Sequence, residues 1–144
     1  MDVLQQFETF ARIVVAPAGE PERRCQVDLA ANWRLRPPIM MDIGLVLHPD
    51  DVAAGKMSAL FTRAEPRDFL DVDALVTSGR YSREQLCELA AQADAGFSRS
   101  VLAELLGTLD RYPDRRFTAY DADVERIRGL RHRFAEWRRA LTQP

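Results

Sequence analysis

Apolar side chains change their spacing once along this chain, at His48-Pro49, and that change limits the fold class more than any other feature. Before it lie short runs rich in β-branched residues, 10–15 (FARIVV) and 25–29 (CQVDL), separated by Pro17, Gly19 and Pro21. Strand-like runs punctuated by turn formers predict an antiparallel hairpin. Arg36-Pro37-Pro38 closes the second strand, because proline has no N–H to give to an internal ladder. A third strand is predicted over 43–47 (IGLVL), ending at His48-Pro49.

Beyond that point the period is helical. Asp50 and Asp51 are placed to cap a helix over 51–64 and to set negative charge in its first turn. Met57, Leu60, Phe61 and Ala64 follow at i, i+3, i+4 and i+7, the buried stripe of such a helix. Glu65-Pro66 breaks it, and Pro66 suits the first position of the next helix, 66–77, which buries Phe69, Val72 and Val76. Ser82 and Gln85 form a capping-box pattern opening a helix that ends near Asp94. Ser98 caps another, with Val101, Leu102, Leu105, Leu106 and Leu109 inside. Tyr112-Pro113-Asp114 reads as a turn. The last helix, 122–141, aligns Val124, Ile127, Leu130, Phe134, Trp137 and Leu141. The fold class is therefore α+β: a small antiparallel or mixed sheet, then about five helices. A chain of 144 residues suits a single domain, β-rich over 1–48 and helical over 49–144.

Several functional classes are disfavoured. No run approaches the roughly 20 apolar residues that cross a bilayer, and the N-terminus lacks the basic start of a signal peptide. Cys25 and Cys87 make neither a metal motif nor a disulfide framework, which predicts a cytoplasmic protein with no membrane partner. There is no glycine-rich phosphate loop, zinc spacing or nucleophile elbow. Of the 20 basic residues only Lys56 is lysine. A compact ammonium does work that a planar guanidinium does not.

The densest polar pattern surrounds that lysine. Lys56 and Arg63 are two helical turns apart and share a face; Asp68 and Asp71, three apart, share a face on the following helix. The two cations and two carboxylates are thus expected to meet at the corner between these helices, with Arg67 beside them. A salt bridge from Lys56 to Asp71 suits either structure or a site. Asp28 alternates with apolar residues on its strand, the pattern of a solvent-facing acid, although paired carboxylates on adjacent strands are also what magnesium-dependent phosphoryl transfer uses. Arg126, Arg128, Arg131, Arg133, Arg138 and Arg139 in the last helix, against Glu125 and Glu136, leave an excess of four positive charges. That stripe is either a solvated face or a contact for RNA phosphates.

The segment from His48-Pro49-Asp50-Asp51 through Lys56 and Arg63 to Arg67-Asp68-Phe69-Leu70-Asp71 resembles the signature of the AbiEii/AbiGii-type nucleotidyltransferase toxins. Val27-Asp28-Leu29 resembles the strand after that family's nucleotide-binding hairpin, and Asp94-Ala95-Gly96-Phe97 resembles part of its helical tail. The resemblance implies a partial nucleotidyltransferase fold of the DNA polymerase β-like superfamily. It implies a bacterial toxin–antitoxin or abortive-infection toxin that transfers a nucleotide from an NTP to RNA, tRNA among the acceptors, with Mg2+. By it Lys56 holds triphosphate oxygens, with Arg63 and Arg67 as further phosphate-binding cations. Asp71 orients Lys56 or assists deprotonation of the attacking hydroxyl, Asp68 supports the group, and Asp28 is a metal carboxylate. The partner it implies is an antitoxin with a winged-helix-like part. One departure stands out: the family's glycine step and paired metal-binding acids have no counterpart before Asp28. The chain therefore reads as a truncated or degenerate member, and the alternative to the enzyme is a non-catalytic protein- or RNA-binding module.

Overall fold

In a computed structural model of the chain, describing residues 2–31 and 34–143, the layout is α+β, with small antiparallel sheets first and helices after them. The chain divides into two compact units, Met1–Arg34 and Leu35–Pro144.

The first unit is a three-stranded antiparallel sheet of β1 (Asp2–Phe7), β2 (Phe10–Val15) and β3 (Cys25–Ala30), in the order β1-β2-β3. The predicted hairpin is present as β2–β3, with Arg12 directly opposite Asp28. Strand β1 was not marked in the sequence. Its turn is Glu8-Thr9, between the paired residues Phe7 and Phe10, and it contains none of the usual turn residues. Val3, Leu4 and Phe7 of β1 are exposed.

The second unit opens with a short hairpin of β4 (Ile39–Met41) and β5 (Gly44–Val46). Ile43, expected to begin a strand, sits in its turn, and Gly44 takes a φ of 109°, a left-handed value that disfavours any side chain. Among the described residues six helices follow: α1 (Pro49–Thr62), α2 (Pro66–Thr77), α3 (Arg83–Ala93), α4 (Arg99–Leu106), the single turn α5 (Arg115–Thr118) and α6 (Val124–Thr142). A 3-10 segment, Gly107–Arg111, continues α4 and takes up Leu109.

Helix α2 has the predicted bounds, and Ser82 caps α3 by accepting from the Gln85 N–H at 3.1 Å. Three local expectations are corrected. Helix α1 is capped by His48, whose Nδ1 accepts from the Asp50 N–H at 3.1 Å, so Asp50 and Asp51 lie inside the first turn. Ser98 precedes α4 but its hydroxyl pairs with that of Ser100 and caps nothing. Val124, at the first turn of α6, is exposed.

The core of this unit is apolar. Met57 and Leu60 from α1, Phe69 and Val72 from α2, Leu86, Leu102, and Ile127, Leu130 and Phe134 from α6 are all buried. Phe69 meets Phe134 edge to face at 5.4 Å between ring centres, and Phe134 lies 5.8 Å from Trp137. Burying a side chain of this size contributes about 1.5–3 kcal/mol, so α6 holds α2 in position.

Candidate functional site

The corner between α1 and α2 is built by one residue with unusual backbone, Ala64, followed by an extended Glu65. Helix α1 ends when Ala64 takes a φ of 50°, which turns the chain sharply while the Arg63 and Ala64 N–H groups still bond to Ala59 and Leu60. A left-handed alanine costs roughly 1 kcal/mol, and its burial in the core offsets that cost. Glu65 is extended and Pro66 starts α2, where its missing N–H removes nothing.

Asp68 closes the corner. It is 1% exposed and receives one guanidinium edge of Arg63, Nη2 at 2.6 Å and Nε at 3.3 Å, and also the Glu65 N–H at 3.1 Å. Burial is the largest influence on this carboxyl and pushes it up. The Arg63 bond, the Glu65 N–H and the charges of Arg63 and Arg67 together overcome it and hold Asp68 below the ordinary carboxylate range. The same bond raises Arg63 above its usual value. Glu65 in turn accepts from Arg116 of α5 at 2.8 Å.

Two turns before Arg63 on α1 and one turn after Asp68 on α2 stands a second pair of different character. Lys56 donates from Nζ to Asp71 Oδ2 at 2.7 Å, with side chains 42% and 30% exposed. Asp68 has every oxygen occupied inside the fold. Lys56 and Asp71 face solvent, and the ammonium has further N–H groups to give. An incoming anion can therefore reach Lys56 without first unfolding the corner.

The structure thus brings Lys56, Arg63, Asp68 and Asp71 together as their spacing predicts. Arg67 is exposed, forms no ion pair among the described residues, and acts on Asp68 through its charge. Asp28 belongs to the first unit, on the exposed surface of β3. Both its oxygens are taken by Arg12, from Nε and Nη2 at 2.8 Å, and the Arg12 hydrogen bond holds its carboxyl below the usual range.

The residues do not fit a carboxylate-held divalent ion. Among the described residues no three His, Cys, Asp or Glu side chains gather in a set able to hold a metal, and Asp28 is occupied by a guanidinium.

Two pairs escaped sequence reasoning. Arg133 of α6 grips Asp73 of α2, Nε and Nη2 each at 2.7 Å, with Asp73 only 3% exposed. The signal was there: Asp73 falls on the apolar stripe of α2, four residues after Phe69, and a buried acid requires a cationic partner. Tyr81 donates to Asp50 at 3.1 Å, joining the segment before α3 to the start of α1.

The second unit thus carries a solvent-open lysine–aspartate pair between its first two helices. A family model described as "Nucleotidyl transferase AbiEii toxin, Type IV TA system" matches residues 5–143, and the chain belongs to this family. Comparison with curated proteins and with solved structures gave no significant match. Among the described residues no helix is long and apolar enough to cross a membrane.

Proposed function

We propose that this chain supplies the nucleotide-handling corner of a bacterial toxin that transfers a nucleotide from an NTP to an RNA acceptor, tRNA being the first candidate. The observation that carries this reading is the solvent-open Lys56–Asp71 pair beside the closed Arg63–Asp68 pair. Lys56 binds triphosphate oxygens with the N–H groups that Asp71 leaves unused, and Arg67, which has no ion pair among the described residues, joins Arg63 as a further phosphate-binding cation near the corner. Phosphoryl transfer depends chiefly on positioning and charge neutralisation, and these side chains contribute both. In the transfer, the RNA hydroxyl oxygen bonds to the α-phosphorus, the bond from that phosphorus to the bridging oxygen breaks, and pyrophosphate leaves with the electron pair. Asp71 orients Lys56 and takes the hydroxyl proton. The family uses a divalent metal in general, and the donors found among the described residues do not form its site. The cytoplasm, an antitoxin partner and a role in abortive infection follow from the same reading.

A second reading, a non-catalytic binding module, is favoured by one observation: Arg12 occupies Asp28, the acid that the resemblance implies as a metal carboxylate. One experiment separates the two. The purified chain is incubated with magnesium, total tRNA and each α-labelled NTP in turn. RNA labelling that disappears in Lys56→Ala supports the transferase. A folded chain that labels nothing, with or without Lys56, leaves the binding module.

A further inference from the structure

The cation-rich face of α6 does not behave uniformly. Arg133 is spent on Asp73, and Arg128 pairs with Glu125 on the surface. Arg131 donates to the Leu109 and Tyr112 carbonyls and to Asp114, which fastens the 3-10 segment to α6. Arg138 and Arg139 have no ion-pair partner among the described residues, and both line a cavity of about 310 Å³ between the 3-10 segment and α6.

That cavity has a particular wall. Gly107, at the junction of α4 and the 3-10 segment, has an ordinary helical φ of −68°, so backbone strain does not call for glycine there. A Cβ on it would lie 2.8 Å from Arg138 Cζ, 3.0 Å from Nη1 and 3.1 Å from Nη2. Three nearly equal distances mean that the guanidinium lies with its face against Gly107. Arg138 is itself exposed, which leaves guanidinium surface for a ligand. Leu106 and Leu109 give the cavity an apolar side, and Asp110, 74% exposed, is its one acid.

We propose that this cleft binds single-stranded RNA, with Arg138 and Arg139 holding a backbone phosphate and the exposed guanidinium of Arg138 stacking on a base. Unpaired guanidiniums are suited to phosphate oxygens, and their planes stack on the splayed bases of single-stranded RNA. The volume is at the lower end of the roughly 300–1,000 Å³ of small-ligand sites, enough for one nucleotide unit of a longer strand. An acidic peptide would use the charge but not the stacking face. The inference deepens the proposed function by locating a contact for its RNA acceptor away from Lys56, and rests on that reading.

The test is equilibrium binding of the full chain to fluorescein-labelled unstructured RNA across a salt series, in wild type, Arg138→Gln/Arg139→Gln, Gly107→Ala and Lys56→Ala. Each phosphate contact in single strands contributes about 0.7 to the slope of log affinity against log salt. The double variant is expected to lose about one such step and at least about tenfold in affinity. Gly107→Ala, which displaces Arg138 without removing charge, is expected to weaken binding with little change in slope. Circular dichroism confirms that each variant is folded. Unchanged RNA binding in the double variant overturns the inference, as do absence of RNA binding in wild type and preferential capture of a poly-glutamate peptide. Loss of label transfer in Lys56→Ala with RNA binding intact bears on the proposed function alone.

Discussion

Arg133 lays two nitrogens on the two oxygens of Asp73 at 2.7 Å each, joining α6 to α2 across 60 residues of sequence. The pair stands on the same helix as Asp71, so the acid that meets Lys56 is carried on a helix anchored from behind. Removing one partner of such a pair leaves a buried charge uncompensated.

Arg133→Met is therefore expected to lower unfolding free energy by about 3–5 kcal/mol. Urea unfolding at neutral pH measures it. Asp73→Leu combined with Arg133→Met removes both charges, and most of the loss is expected to return.

The exposed pair behaves in the opposite way. Lys56 and Asp71 are 42% and 30% exposed, and solvent-exposed ion pairs contribute about 0–1 kcal/mol. Lys56→Ala and Asp71→Asn are each expected to shift the urea midpoint little. A loss above about 2 kcal/mol in either would mark the pair as structural.

Asp68 sets an acid limit on the corner. Its carboxyl titrates below its unfolded value of about 3.9, chiefly because the Arg63 bond and its supporting contacts overcome burial. The stability it contributes is fully present above the unfolded value. It is lost as pH falls through the lower folded value, where the unfolded chain has already bound its proton. Stability is thus expected to fall with pH below about 4, and Asp68→Asn to flatten that slope while costing stability at neutral pH. Urea midpoints between about pH 3 and pH 7 read both effects.

The two thiols should differ in reactivity. Cys87 is buried and burial pushes its thiol up to about 11, whereas Cys25 is exposed. Only the thiolate reacts. One thiol of the native chain is expected to react quickly with a thiol-specific dye, and the second only on unfolding. Mass spectrometry of the labelled peptides identifies which.

Much of this arrangement could be read from spacing within single elements. Pro66 and the stripe of Phe69, Val72 and Val76 define α2, and the Ser82–Gln85 box defines the start of α3. The meeting of Lys56, Arg63, Asp68 and Asp71 was legible because both pairs lie on helices joined by a turn of three residues. Contacts made across long sequence separations were not legible. Arg133–Asp73 needs the α2–α6 packing to be known first, and Arg12–Asp28 needs the strand register. Strand β1 was hidden because Glu8-Thr9 carries no turn signal, and the cap of α1 because histidine outside a helix is seldom read as a cap.

The central claim is that Lys56 binds a nucleoside triphosphate, and a calorimetric titration of the folded chain with each NTP tests it without requiring turnover. Charge-assisted hydrogen bonds contribute about 1.5–3 kcal/mol, so Lys56→Ala is expected to weaken binding by about 10- to 100-fold with an unchanged urea midpoint. Equal binding in wild type and Lys56→Ala, or none in wild type, would contradict the account.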